Sequence, residues 1–201
     1  MTKERLVNLF QESFSGNRLT DDKLAALDED LIAMYLSFGM ETLINRLVTR
    51  NHAEYSSILS DFTHTEEKVD YEKIADGTYV LKPKLKGIST VNQEGIRSIY
   101  PHLQPENAFT YRNQASEKGK SILQKSLGYT LTGTYNVSPD RVIVKSNISC
   151  ESFDMRVVAT FDSLDWDVDI KLPQKGEVDL FQITKQLYFG VPPEDKVNDE
   201  R

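Results

Sequence analysis

The chain has 201 residues, a net charge of −7 and a hydrophobic fraction of 39% that includes nine Tyr and nine Phe, enough to build a folded core. Its single cysteine, Cys150, excludes an internal disulfide and any cysteine-cluster metal site. The chain opens without a secretory signal pattern, and its longest apolar run, residues 31–40, is about half of what a membrane span needs. We therefore expect a soluble protein with no membrane partner.

The first 55 residues predict helices. Apolar side chains at helical spacing predict a first helix that ends at residues 15–17, and they are Leu6, Val7, Phe10 and Phe14. Thr20, followed by two aspartates, predicts a second helix start, because its oxygen can cap free N–H groups and carboxylates favour the positive helix end. The apolar stripe then continues toward Arg50, and Gly39 could divide it into two helices.

A change to a period of two marks the second part of the chain. Residues 56–77 are weakly patterned and predict a connection with one helical turn, whereas residues 79–85 alternate as a strand with one basic face. Pro83 predicts that this strand lies at a sheet edge. Further strands are predicted at 88–91, 96–100, 155–161 and 166–172, with a hairpin over 129–144 that turns at residues 138–140.

The chain closes with one amphipathic helix over residues 177–189 and a polar tail that opens at Pro192 and Pro193. The fold class predicted is α+β, with N-terminal helices, an antiparallel β-rich body, a closing C-terminal helix and an extended tail. The predicted segments are 1–55 (helical), 56–77 (connection), 78–172 (β-rich body) and 173–201 (helix and tail).

Three patterns that carry chemistry in other proteins are incomplete here. Gly119-Lys120-Ser121 ends like a phosphate-binding loop, but Gln114 stands where the first glycine is required. The alternating aspartates at 165–169 lack the glycine and glutamate of a calcium loop. The three histidines are isolated in sequence. We therefore expect no catalytic residue, no metal, no cofactor and no enzyme activity.

Charge is distributed unevenly along the chain. Residues 80–125 hold eight basic and three acidic residues, a net +5, whereas residues 161–201 hold five basic and ten acidic residues, a net −5. These segments either solvate separate faces or meet between copies of the chain, and the basic one could also contact DNA non-specifically. We predict partner contacts for two groups of residues in these segments: the basic segment (Lys82, Lys84 and Lys86) and the acidic triplet (Asp165, Asp167 and Asp169). The polar tail either contacts a partner or only keeps the C-terminus soluble, and its predicted contact residues are Pro193, Glu194, Asp195 and Asn198.

Several stretches together resemble virion ring or neck proteins, the head-to-tail connectors of crAss-like and related tailed bacteriophages. They are the N-terminal helical segment, Tyr129-Thr130-Leu131 ahead of Asp140-Arg141-Val142-Ile143-Val144, and the ending Ile170-Lys171-Leu172-Pro173, Leu187-Tyr188-Phe189 and Pro193-Glu194-Asp195-Lys196-Val197-Asn198-Asp199. The resemblance implies a structural subunit assembled in the host cytoplasm into a homo-oligomeric ring around the DNA path, with the portal and other neck or tail proteins as partners. The alternative is an accessory protein- or nucleic-acid-binding module without catalysis.

Overall fold

The computed structural model describes residues 1–15, 29–50, 55–88, 95–111, 133–138, 141–172 and 176–190. Within these ranges the helices are α1 (Lys3–Ser15), α2 (Glu29–Arg50), α3 (Tyr55–Asp61) and α4 (Gly176–Tyr188). The strands are β1 (Thr63–Glu66), β2 (Tyr71–Ala75), β3 (Thr78–Leu81), β4 (Ile96–Pro101), β5 (Thr110–Tyr111), β6 (Gly133–Ser138), β7 (Arg141–Ser146) and β8 (Phe153–Val158). The α+β class predicted from sequence is confirmed.

The chain divides into two compact units. The helical unit comprises residues 1–62 and 160–201, and the β unit comprises residues 63–159. Residues 160–172, placed by the sequence patterns in the β-rich body, belong to the helical unit.

In the helical unit, the predicted first and last helices are confirmed as α1, which ends at Ser15, and α4, which is shifted by one residue from the predicted 177–189. The core is formed by one side of each helix, including Leu6, Phe10, Leu36, Ile44 and Leu180, all at most 1% exposed. Burying a side chain of this size contributes roughly 1.5–3 kcal/mol. The start predicted at Thr20 lies outside the described residues.

Gly39 does not divide the second helix, and that prediction is wrong. α2 continues through it from Glu29 to Arg50. A Cβ at this position would overlap the Thr184 Oγ1 atom and would lie 3.2 Å from Leu180 Cδ1. Glycine therefore lets α2 and α4 pack closely, and the cost of a helical glycine is offset by this contact.

By length and composition, α2 is the one helix in the described ranges that would suffice to cross a membrane, over Glu29–Thr49. A single helix of this kind is weak evidence for a membrane span, because the core helix of a soluble protein passes the same test of length and composition; 44% of this window is buried inside the protein.

The β unit contains two sheets. Strands β1, β8 and β4 form an antiparallel three-stranded sheet in that order, and β2, β3, β7, β6 and β5 form a five-stranded sheet that is antiparallel except for β5 and β6. The predicted hairpin is confirmed where it is described, since β6 and β7 pair from Gly133 with Ser146 to Ser138 with Arg141.

Phe153 on β8 joins the two sheets of the β unit. Its ring is fully buried and makes edge contacts with Tyr79, at 4.9 Å, and Tyr71, at 5.3 Å between ring centroids. Such aromatic pairs contribute about 0.5–1.5 kcal/mol beyond the area they bury. The core of this unit therefore lies between β8 and the β2–β3 hairpin.

Two predictions in the middle of the chain are wrong. Residues 56–77 are not a simple connection, because they contain most of α3 and the strands β1 and β2. All five residues of β2 are exposed, so no alternation marked this strand in the sequence. The basic strand predicted over 79–85 ends at Leu81 and is not at an edge, since β3 lies between β2 and β7.

The strand predicted over 166–172 is also wrong. Only Asp169 there makes a β-bridge, an isolated one with Thr2. The backbone carbonyl groups of Trp166 and Val168 accept hydrogen bonds from the N–H groups of Glu4 and Lys3. The start of the chain thus supplies the partners that a neighbouring strand would otherwise provide.

Candidate functional site

The basic segment does not share one face of a strand. Lys82, Lys84 and Lys86 are all exposed, but they follow the end of β3. The backbone N–H groups of Lys84 and Leu85 donate to the Glu66 carboxylate at 3.0 and 2.9 Å, which replaces ladder hydrogen bonds. Their alternation in sequence is therefore not converted into a basic strand face.

Lys82 is already paired on its own surface. Its Nζ lies 3.1 Å from Glu72 Oε2, and both side chains are about two-thirds exposed. Exposed ion pairs of this kind contribute about 0–1 kcal/mol. The pair lowers the local positive charge that a phosphate backbone or an acidic partner would meet.

The acidic triplet likewise does not lie on one strand face. Asp165, Asp167 and Asp169 are exposed in an irregular segment, where the Val168 N–H donates to the Asp165 carbonyl at 3.2 Å. Asp169 forms an ion pair with the Met1 ammonium group, and this bond lowers the pKa of Asp169. The triplet belongs to the helical unit and the basic segment belongs to the β unit. The predicted contact between these two groups in neighbouring copies stays a prediction. The tail residues Pro193, Glu194, Asp195 and Asn198 lie outside the described residues.

Lys3 occupies a site that the sequence patterns did not reveal. The residue is only 4% exposed, and its Nζ donates to the carbonyl groups of Leu164, at 2.8 Å, and Asp162, at 3.3 Å. The same Nζ lies 5.2 Å from the Phe161 ring centroid and 5.0 Å from that of Trp166. Carbonyl oxygens and ring faces are both suited to a cation, so the pocket is built around this ammonium group.

Burial lowers the pKa of Lys3, because the charged form loses water, and the carboxylates of Asp162, Asp165 and Asp30 act in the opposite direction. In sequence, Lys3 resembles any polar residue at the start of an amphipathic helix. No spacing pattern could have identified it, since its contacts are about 160 positions away in the chain.

A second polar site lies in the β unit at Asp154 on β8. Asp154 is 3% exposed, and its Oδ1 atom lies 2.8 Å from Nδ1 of His102 and accepts the Lys68 N–H at 3.0 Å. Its Oδ2 atom accepts the Leu103 N–H at 3.3 Å. Burial raises the pKa of Asp154, but these hydrogen bonds outweigh it, so the pKa is lowered overall.

The two backbone donors to Asp154 have unusual conformations. Lys68 and Leu103 have φ angles of 51° and 62°, and they are the only non-glycine residues with positive φ in the described ranges. Such conformations cost of order 1–3 kcal/mol each and persist where surrounding contacts hold them. Asp154 therefore fixes two strained turns, and its bond to Nδ1 directs the other ring nitrogen of His102 away from it.

The described residues contain no group of three or more His, Cys, Asp and Glu side chains able to hold a metal ion. An open cleft of about 710 Å³ lies in the helical unit. Two basic residues, Arg5 and Lys171, and two acidic residues, Asp169 and Glu177, line it, so the charge of the cleft favours neither anions nor cations. The Gly119-Lys120-Ser121 segment lies outside the described residues.

No protein-family model matches this chain, and no curated protein matches it in sequence.

Proposed function

We propose that this protein is a non-catalytic structural subunit of the head-to-tail connector of a tailed bacteriophage, assembling into a ring around the DNA path. The observation that carries the proposal is an apolar stripe on the exposed side of α2. Leu31, Met34 and Phe38 follow each other at helical spacing and are 37%, 42% and 52% exposed. Contiguous apolar surface of this kind is typical of protein contact sites.

The distribution of charge supports a ring in particular. A ring contact joins two different faces of the same subunit, so complementary charges can meet around the circle. The net +5 of residues 80–125 and the net −5 of residues 161–201 are of opposite sign and equal size. The resemblance of the chain ending to connector proteins of crAss-like phages supports the same assignment.

Purified phage particles test this proposal. Mass spectrometry should find the protein at a fixed copy number per particle, and gold-labelled antibody should bind at the junction of head and tail. Particles that lack the protein, or that carry it at variable amounts over the capsid, would overturn the assignment. The variant Met34→Glu/Phe38→Glu should fold but fail to enter particles, whereas the matched variant Ile74→Glu, on the β unit, should enter normally.

An accessory nucleic-acid-binding module is the second candidate, and the exposed lysines of the basic segment favour it. Binding of the free protein to duplex DNA, with affinity that falls steeply as salt rises, would support this candidate if the protein is also absent from particles. In either role, screens for hydrolysis of nucleotides, esters and peptides should show no turnover.

A further inference from the structure

The apolar stripe of α2 described above has an aromatic flank on one side. Tyr35 lies on this side of the helix, and its ring meets the Tyr188 ring of α4 edge-on at 5.2 Å between centroids. The Tyr188 ring in turn meets that of Phe189, which is 61% exposed, at 5.3 Å. The exposed apolar surface therefore continues from α2 onto the end of α4.

The other side of the stripe has an acidic flank. A helix turns by about 100° per residue, which places Asp30 and Glu41 on the side of the stripe opposite Tyr35. Asp162 lies on this acidic side, because the Ser37 hydroxyl donates to its Oδ1 atom at 3.4 Å. Burial and the Asp162 carboxylate raise the pKa of Glu41, so these two carboxylates repel each other in the free protein.

Little positive charge on the surface balances the acidic flank. The two segments that supply it, residues 29–45 and 160–170, contain three and four acidic residues, respectively, and neither lysine nor arginine. Lys3 acts on these carboxylates from inside the protein, since it is 4% exposed and its Nζ donates to backbone carbonyl groups. A partner that approaches the stripe therefore meets apolar side chains beside negative charge.

We propose that this surface binds a basic amphipathic helix of a partner protein, whose apolar side chains pack on Leu31, Met34 and Phe38 and whose lysines or arginines lie along the acidic flank. The interior turns of α2 pair their own backbone groups, so a partner can only pack side chains against them, as helices do. This inference deepens the proposed function and rests on it, because that proposal makes the stripe a contact surface.

A second copy of α2 is a poorer occupant of the stripe. Acidic residues stand at both of its ends, with Glu29 and Asp30 before it and Glu41 after it. An antiparallel contact between two copies would bring Asp30 of one toward Glu41 of the other, and a parallel contact would align each with itself. Like charges oppose both arrangements, and the same flank repels an anionic lipid surface.

Designed peptides test the partner chemistry with purified protein. The probe is a labelled peptide of about fourteen residues, with leucine at positions i, i+3 and i+7 of a helix and lysine along one flank. One control peptide has the same composition in scrambled order, and the other has glutamate in place of every lysine. Fluorescence anisotropy should give a Kd on the order of ten micromolar for the probe and at least about ten-fold weaker binding for each control.

Substitutions in the protein separate the apolar contribution from the charged one. Phe38→Ser should weaken binding of the probe at least about five-fold. Glu41→Gln should weaken it about two- to five-fold and reduce its dependence on salt. The matched variants Ile74→Ser and Glu106→Gln, at exposed positions of the β unit, should bind the probe like the wild type.

Three results would overturn the basic-helix partner. They are binding of either control peptide as tight as that of the probe, binding to vesicles of anionic lipid in place of the probe, and self-association in place of probe binding that Met34→Glu abolishes. None of them bears on the connector role, because the particle experiment with Met34→Glu/Phe38→Glu decides separately whether the stripe is needed for assembly.

Discussion

Gly39→Ala offers a sharp test of how α2 and α4 pack, because two opposing effects act at this position. In an exposed helix interior, replacing glycine by alanine stabilises by about 0.8–1 kcal/mol. Here the new Cβ would overlap Thr184 Oγ1 and come within 3.2 Å of Leu180 Cδ1. Thr184 is 0% exposed and donates through Oγ1 to the Leu180 carbonyl at 2.7 Å, so it cannot turn away without losing that bond.

The expected net effect is a destabilisation of about 1–3 kcal/mol, since overpacking costs about 1–3 kcal/mol and the displaced hydroxyl about another 1 kcal/mol. In a Thr184→Ala background the hydroxyl is gone, the Cβ atom at position 184 lies at an ordinary contact distance of 3.4 Å, and only the flexible end of Leu180 is closer, at 3.2 Å. Gly39→Ala should then stabilise by about 0.5–1 kcal/mol. The sign of one substitution is therefore predicted to reverse with the residue at position 184.

Urea unfolding followed by tryptophan fluorescence measures this effect where it occurs, because the single tryptophan, Trp166, belongs to the helical unit. Thr42→Ala, a control on the same helix, should change stability by less than about 1 kcal/mol in both backgrounds. If Gly39→Ala stabilises the wild type as much as it stabilises Thr184→Ala, the close contact between α2 and α4 at Gly39 is absent.

Four other outcomes are expected. Lys3→Ala should destabilise the helical unit by about 2–4 kcal/mol, because the carbonyl groups of Asp162 and Leu164 lose their donor. It should also shift the fluorescence emission of Trp166, whose ring loses its contact with Lys3, and an unchanged emission spectrum would contradict the cation site. The pKa of Asp154 is lowered in the folded state, so its stabilising effect is present above the unfolded value of about 3.9 and is lost as pH falls through the folded value. Asp154→Asn should flatten this acid limb of the stability curve, and an identical limb in the variant would refute the linkage. Replacing Lys82, Lys84 and Lys86 by glutamate should slow assembly at low salt without changing folding. Unchanged assembly would mean that these charges only keep the surface solvated. Deleting residues 194–201 should leave a folded subunit that no longer enters particles, whereas normal incorporation would show that the tail is dispensable.

The sequence alone determined the helices at the two ends of the described chain and the β6–β7 hairpin. These elements carry their signals locally, because an amphipathic helix such as α1 or α4 shows its buried face through its 3.6-residue period. The hairpin is similar, since the turn-forming sequence Ser138-Pro139-Asp140 stands between two runs of strand-forming residues. The α+β class followed from the order of these patterns.

Tertiary structure decided what depends on distant partners. Pairing with β3 makes a strand of β2, although all five of its residues are exposed. The segment with the alternating aspartates stays outside the sheets, because the backbone groups of Trp166, Val168 and Ile170 bond to Glu4, Lys3 and Met1. The Lys3 and Asp154 sites depend on the same kind of contact. Asp154 meets His102 across 52 positions, and Lys3 meets Leu164 across 161. A buried charge is stable only where such donors and acceptors converge, and that convergence exists only after the chain has folded.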